Sequence, residues 1–158
     1  MLMDPHLPRK FLVIVDGTPE SRAALRWAER RAHGTSGELV LAAILEPGGF
    51  EHWLGVESLM KQEAREEAQL ILDNLSEEVV QISGQRPQTH ILEGNKIDVI
   101  VGLIDSDKTI STLVLASGTD PDGPGPLVSA LATGKSGFHI PVTIVPGELS
   151  DEQIDAIT

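Results

Sequence analysis

The sequence predicts an α/β fold: one doubly wound sheet of five parallel strands with helices on both faces. Three observations predict it. Five short runs rich in Val, Ile and Leu have the make-up of strands buried on both faces. Between them, apolar residues recur at helical spacing. The two kinds of segment alternate from one end of the chain to the other, as successive βαβ units require.

Lys10–Val15 is the first strand. Asp16-Gly17-Thr18-Pro19 follows, with Thr18 a good N-cap and Pro19 suited to the first helical position. Ala24, Leu25, Ala28 and Ala32 mark the buried side of a helix that Gly34 is expected to stop. Arg22, Arg26 and Arg30 lie four apart on that helix and read as a solvated face. Glu38–Leu45 is a second buried strand, ended by Pro47-Gly48-Gly49.

Phe50–Val56 reads as a loop carrying His52 and Trp53, and a long helix is expected from Glu57 to about Gln81. Ser83-Gly84 closes that helix. Gln88–Leu92 alternates weakly and reads as a third strand, nearer an edge. Asn95 is placed to cap a helix whose buried stripe is Ile97, Ile100, Val101 and Ile104. Thr112–Ala116 is the fourth strand. Ser117–Pro126 holds three Gly and three Pro in ten residues and reads as a loop. Leu127 to about Lys135 reads as a short helix and Pro141–Val145 as the fifth strand. Ser150-Asp151-Glu152-Gln153 is a capping box opening a terminal helix.

The chain has 158 residues, a length at which one domain is expected, here residues 1–158 with a core of about 9–146 and an acidic helical tail over 148–158. Its 24 Asp+Glu outnumber 12 Lys+Arg, and the net charge of −12 argues against a nucleic-acid or anionic-membrane partner. Residues 1–36 carry six bases and four acids, net +2, which leaves −14 for the rest. The absence of cysteine excludes disulfides, thiolate metal sites and a Cys nucleophile. Asp4, Pro5 and Pro8 precede only a five-residue apolar run, unlike a signal peptide, and no run approaches a membrane span. A cytoplasmic location is expected.

In doubly wound sheets ligands sit beyond the carboxyl ends of the strands, where the strand order reverses. That directs attention to Asp16–Thr18, Ile44–Gly49, Glu93–Asn95 and Ser117–Ser129. Asp16 has two readings of equal weight, a ligand contact or a turn residue bonding the next backbone N–H groups. Ala132-Thr133-Gly134-Lys135-Ser136 lacks the glycine that a P-loop needs five residues before Gly134, since position 129 is Ser. It reads instead as a helix C-terminus. Trp53 is the one attractive stacking residue in a chain with little else to hold a flavin. The five histidines are scattered without metal-ligand spacing, so no metal is expected, and no nucleophile–base pair can be named as catalytic.

FLVIVDGTPESRAALRWAERRA, ELVLAAILEP, HILEGNKIDVIV, TLVLAS and IPVTIV, in this order, resemble the universal stress protein family over about residues 9–146. The resemblance implies a flavodoxin-like fold with strand order 3-2-1-4-5, and a homodimer formed through the edge of the last strand. One branch of the family binds ATP and another does not. In the binding branch the adenine contact corresponds to Asp16, with Gly17 and Thr18 beside it, and an apolar contact to Ile44. The phosphates are held by Gly-x2-Gly-x9-Gly-Ser/Thr after the fourth strand.

Here Ala116 stands at the first Gly, Thr119 or Gly118 at the second and Val128 at the third; Ser129 keeps the hydroxyl. Gly123-Pro124-Gly125-Pro126 occupies the loop instead, and its prolines have no N–H to donate. Asp120 and Asp122 add negative charge. The candidate site is therefore Asp16, Gly17, Thr18, Ile44, Ser117, Gly118, Gly125 and Ser129, with ATP or AMP as the expected ligand if one is bound. The leading reading is a homodimeric, non-catalytic stress-response regulator with an unidentified protein partner. The alternative is an ATP-binding enzyme with slow hydrolysis or phosphoryl transfer.

Overall fold

A computed structural model of the chain describes residues 7–46, 54–118, 126–132 and 137–158. The strands are β1 (Lys10–Ile14), β2 (Glu38–Leu45), β3 (Gln88–Glu93), β4 (Ile110–Ser117) and β5 (Val142–Pro146). The helices are α1 (Pro19–Thr35), α2 (Leu54–Ser83), α3 (Lys96–Ser106), α4 (Pro126–Ala132) and α5 (Asp151–Ile157). All neighbouring strands pair in parallel, in the order β3-β2-β1-β4-β5. The expected order and parallel pairing are thus observed.

Burial on both faces explains the apolar runs. Val13, Leu41 and Val114 point into one layer with Ala24 and Ala28 of α1, Leu72 and Leu75 of α2 and Ile154 of α5. Leu12, Val40 and Leu113 point into the other, with Ile100, Leu103 and Ile104 of α3. β3 lies at one edge, in keeping with its weak alternation, and its residues are at most half-buried. The α5 helix is docked onto α1: Ile154 is fully buried, and Arg26 grips Asp155 through two parallel hydrogen bonds of 2.8 and 2.9 Å.

Three local expectations need correction. Helix α1 runs through Gly34 and ends at Thr35. The last carbonyls are met there by the Thr35 hydroxyl, which donates to Arg31 O at 2.8 Å, and by the N–H of left-handed Ser36, which donates to Ala32 O. Helix α2 starts at Leu54, inside the expected loop. The arginine face of α1 is not simply solvated: Arg22 pairs with Glu78 of α2, and Arg26 and Arg30 pair with Asp155.

Candidate functional site

The chain turns from β1 out to β2 and β3 on one side, then crosses to β4 and β5 on the other. The order therefore reverses between β1 and β4. Register carries three candidate residues to one level at the carboxyl end. Ile14 pairs with Ala42, so Asp16 and Ile44 each lie two residues further on. Val13 pairs with Val114, so Asp16 and Ser117 each lie three further on. Asp16, Ile44 and Ser117 thus share the tips of three adjacent strands, beside the first turn of α1.

Asp16 is exposed, and its local bonds are well defined. Its Oδ1 accepts from the Thr18 N–H at 3.0 Å and from the Thr18 hydroxyl at 2.6 Å. The Thr18 hydroxyl also accepts from the Ser21 N–H, which caps α1. Gly17 joins the two at φ +80°, and an added Cβ would lie 3.0 Å from the Ile71 side chain of α2. Asp16 is therefore a turn residue, as one of its two readings required. That role uses Oδ1 alone, and among the described residues no group bonds Oδ2.

The other described candidates lie on β2, at the end of β4 and on α4. Ile44 is half-buried and packs against the α3 layer. Ser117 is half-buried at the end of β4, and its carbonyl accepts from the Gly147 N–H at 3.2 Å. Gly147 permits that approach, since a Cβ there would lie 2.5 Å from both the Ser117 carbonyl and the Glu20 Cγ. Gly118 is half-buried and follows directly; Ser129 is exposed on α4. Gly125, Asp120, Asp122, Trp53, His52, Gly134 and Lys135 lie outside the described residues.

Cations ring the neighbouring tips. Lys61 (3.0 Å) and Arg65 of α2 hold Glu93 at the end of β3, and Lys96 lies 3.8 Å from Glu46. The hydrogen bond from Lys61, with Arg65 adding to it, holds the Glu93 carboxyl below the usual carboxylate range. These pairs join residues 28 to 50 positions apart in the sequence, so spacing along the chain does not reveal them. Among the described residues no group of three or more His, Asp or Glu side chains is placed to hold a metal ion.

Residues 8–128 match the model of the Universal stress protein family. The chain belongs to that family. Comparison with curated proteins returned no match. Similar solved structures include the universal stress protein UspA from Lactobacillus plantarum, with a TM-score of 0.76 at 17% identity, covering 87% of this chain and 97% of that one. A universal stress protein family member from Burkholderia pseudomallei gives 0.67 at 18% identity, over 87% and 95% of the two chains. A universal stress protein solved in complex with cAMP gives 0.56 at 18% identity, over 89% and 98%. At these identities the likeness is one of fold. Among the described residues no helix is long and apolar enough to cross a membrane.

Proposed function

We propose that this universal stress protein is a non-catalytic cytosolic regulator that binds an adenine nucleotide at the tips of β1 and β4. The observation that carries the reading is the Asp16 carboxylate. One oxygen is fixed by Thr18, and the other is bonded by no described residue, at the point where the strand order reverses. A carboxylate oriented in this way is an acceptor for the exocyclic amine of adenine or a ribose hydroxyl. Ile44, level with it on β2, supplies an apolar contact for the base.

The phosphate side favours a short anion. Ala116 and Val128 stand where the family pattern has glycine, and Pro124 and Pro126 have no N–H to offer. A single phosphate reaching Ser117, Gly118, Gly125 and Ser129 asks for fewer donors than a triphosphate does. The fold relative solved with cAMP carries a ligand of that class. AMP and cAMP are therefore expected to bind more tightly than ATP.

The same reading includes a homodimer through β5. Among the described residues that strand pairs only with β4, and Ile144 on it is 42% exposed, which suits a strand edge that meets a second copy. Sedimentation analysis should give a dimer that Ile144→Lys dissociates; a monomeric wild type would remove this part of the proposal. For the ligand, isothermal titration with AMP, cAMP and ATP is the test. Saturable binding of the monophosphates, weakened at least tenfold by Asp16→Ala, supports the sensor. No saturable binding at about millimolar nucleotide leaves the site without its ligand, and Mg²⁺-dependent turnover of ATP would contradict the non-catalytic role.

A further inference from the structure

Gly147 lies where three elements meet at the carboxyl end of the sheet. Its N–H donates to the Ser117 carbonyl at 3.2 Å, and Pro146 beside it pairs with Ser117 in the β4–β5 ladder. A Cβ at position 147 would stand 2.5 Å from that carbonyl oxygen and 2.6 Å from the Glu20 Cβ. Glu20 belongs to the first turn of α1. The tip of β4 and the start of α1 thus close on either side of this one residue, with no room for a methyl group. The tip of β4 carries Ser117, and the start of α1 carries Thr18, which holds Asp16. The spacing between the two halves of the candidate site is therefore set through Gly147.

The segment that follows is anchored on α1. Leu149 packs into the layer of α1 and α2, and its N–H turns back to the Pro146 carbonyl at 3.2 Å. Ser150 and Gln153 cap α5 reciprocally, and Ile154 is fully buried in the same layer. Arg26 holds both oxygens of Asp155, while Arg30 lies 3.2 Å from that carboxylate and donates to the Thr158 hydroxyl at 2.6 Å. Paired bonds between a guanidinium and a carboxylate are strong and directional. The C-terminal segment therefore grips α1 twice, at Glu20 beside the site and at Arg26 and Arg30 further along.

We propose that residues 147–158 act as a clasp, in which docking of α5 on α1 sets the affinity of the strand tips. Gly147 is its positioning residue, holding Ser117 at a fixed distance from Asp16 and Thr18. The effect on affinity rests on the nucleotide reading of that site; the positioning does not. Coupling of this kind is reciprocal, so a nucleotide that joins the two tips tightens the docking of α5 by the same factor.

The test is NMR of the full chain, first without nucleotide and then with AMP. Asp155→Ala removes the carboxylate that Arg26 and Arg30 hold, and Gly147→Ala drives a methyl group against the Ser117 carbonyl. Both should move the Thr18 and Ser117 amide signals before any nucleotide is added, and both should lower AMP affinity about fivefold or more. AMP should in turn slow hydrogen exchange of the α5 amides in the wild type. Glu152→Ala, the same kind of truncation at an exposed position of α5, should leave signals and affinity unchanged. If Gly147→Ala does not fold, Asp155→Ala decides alone. Thr18 and Ser117 signals that stay in place in Asp155→Ala would overturn the proposal, as would moved signals with AMP affinity equal to wild type. If the wild type binds no AMP, the nucleotide reading falls, and moved signals still support the positioning.

Discussion

The two ends of the sheet carry the same small device, used in opposite ways. At the carboxyl end, Asp16 Oδ1 accepts from the N–H and the hydroxyl of Thr18, two residues on. At the amino end, Asp107 Oδ1 accepts from the N–H and the hydroxyl of Thr109 in the same way. The difference lies in the second oxygen. Lys10, at the start of β1, donates to Asp107 Oδ2 at 2.9 Å and closes that end. Asp16 Oδ2 is bonded by no described residue. One Asp-x-Thr turn is completed by the fold and supports stability. The other is ordered by the fold, and its second oxygen is the one that we propose a nucleotide completes.

The largest effect should come from breaking the closed turn. The Lys10 and Asp107 side chains are only 15% and 27% exposed, so Asp107→Ala removes a partly buried ion pair and two further hydrogen bonds. Chemical denaturation should show a loss of about 2–4 kcal/mol, with nucleotide binding retained. Next is Gly17→Ala in the open turn. The positive φ and the 3.0 Å approach to Ile71 should cost about 1–2 kcal/mol in the same measurement.

Asp16→Ala should cost less than either, about 0.5–1 kcal/mol, because its hydrogen bonds are exposed and Thr18 still caps α1. A loss as large as that of Asp107→Ala would erase the distinction between the two turns. The smallest effect is on pH dependence. Burial opposes ionisation of Asp107, but hydrogen bonds from Thr109 and Lys10 outweigh it and hold its carboxyl below the usual range. The stabilisation from that group is present at neutral pH and is lost as pH falls through the lowered folded value. Asp107→Asn should therefore flatten the fall in melting temperature on acidification.

Much of the fold was legible because strands buried on both faces and helices capped by local residues write their signals into short stretches. Thr18, Asn95 and Ser150 all cap the helices that their positions predict. The Asp16 turn was legible for the same reason, since its partner is two residues away. What spacing could not reveal depends on residues distant in sequence. Lys10 meets Asp107 across 97 positions, and Arg26 meets Asp155 across 129. The low exposure of Glu29, 8%, was hidden because α1 is rich in charge along its length. The repeated Asp-x-Thr spacing at 16/18 and 107/109 was the available sign of the paired turns.

The contrast between the two turns is tested most directly by titrating AMP into the wild type, Asp16→Ala and Lys10→Met side by side. Saturable binding by the wild type and by Lys10→Met, weakened at least tenfold in Asp16→Ala, is the predicted result, a loss of about 1.4 kcal/mol or more in binding free energy. Equal AMP affinity in the wild type and Asp16→Ala, or no saturable binding by the wild type at about millimolar AMP, would contradict the assignment of the open carboxylate to a nucleotide.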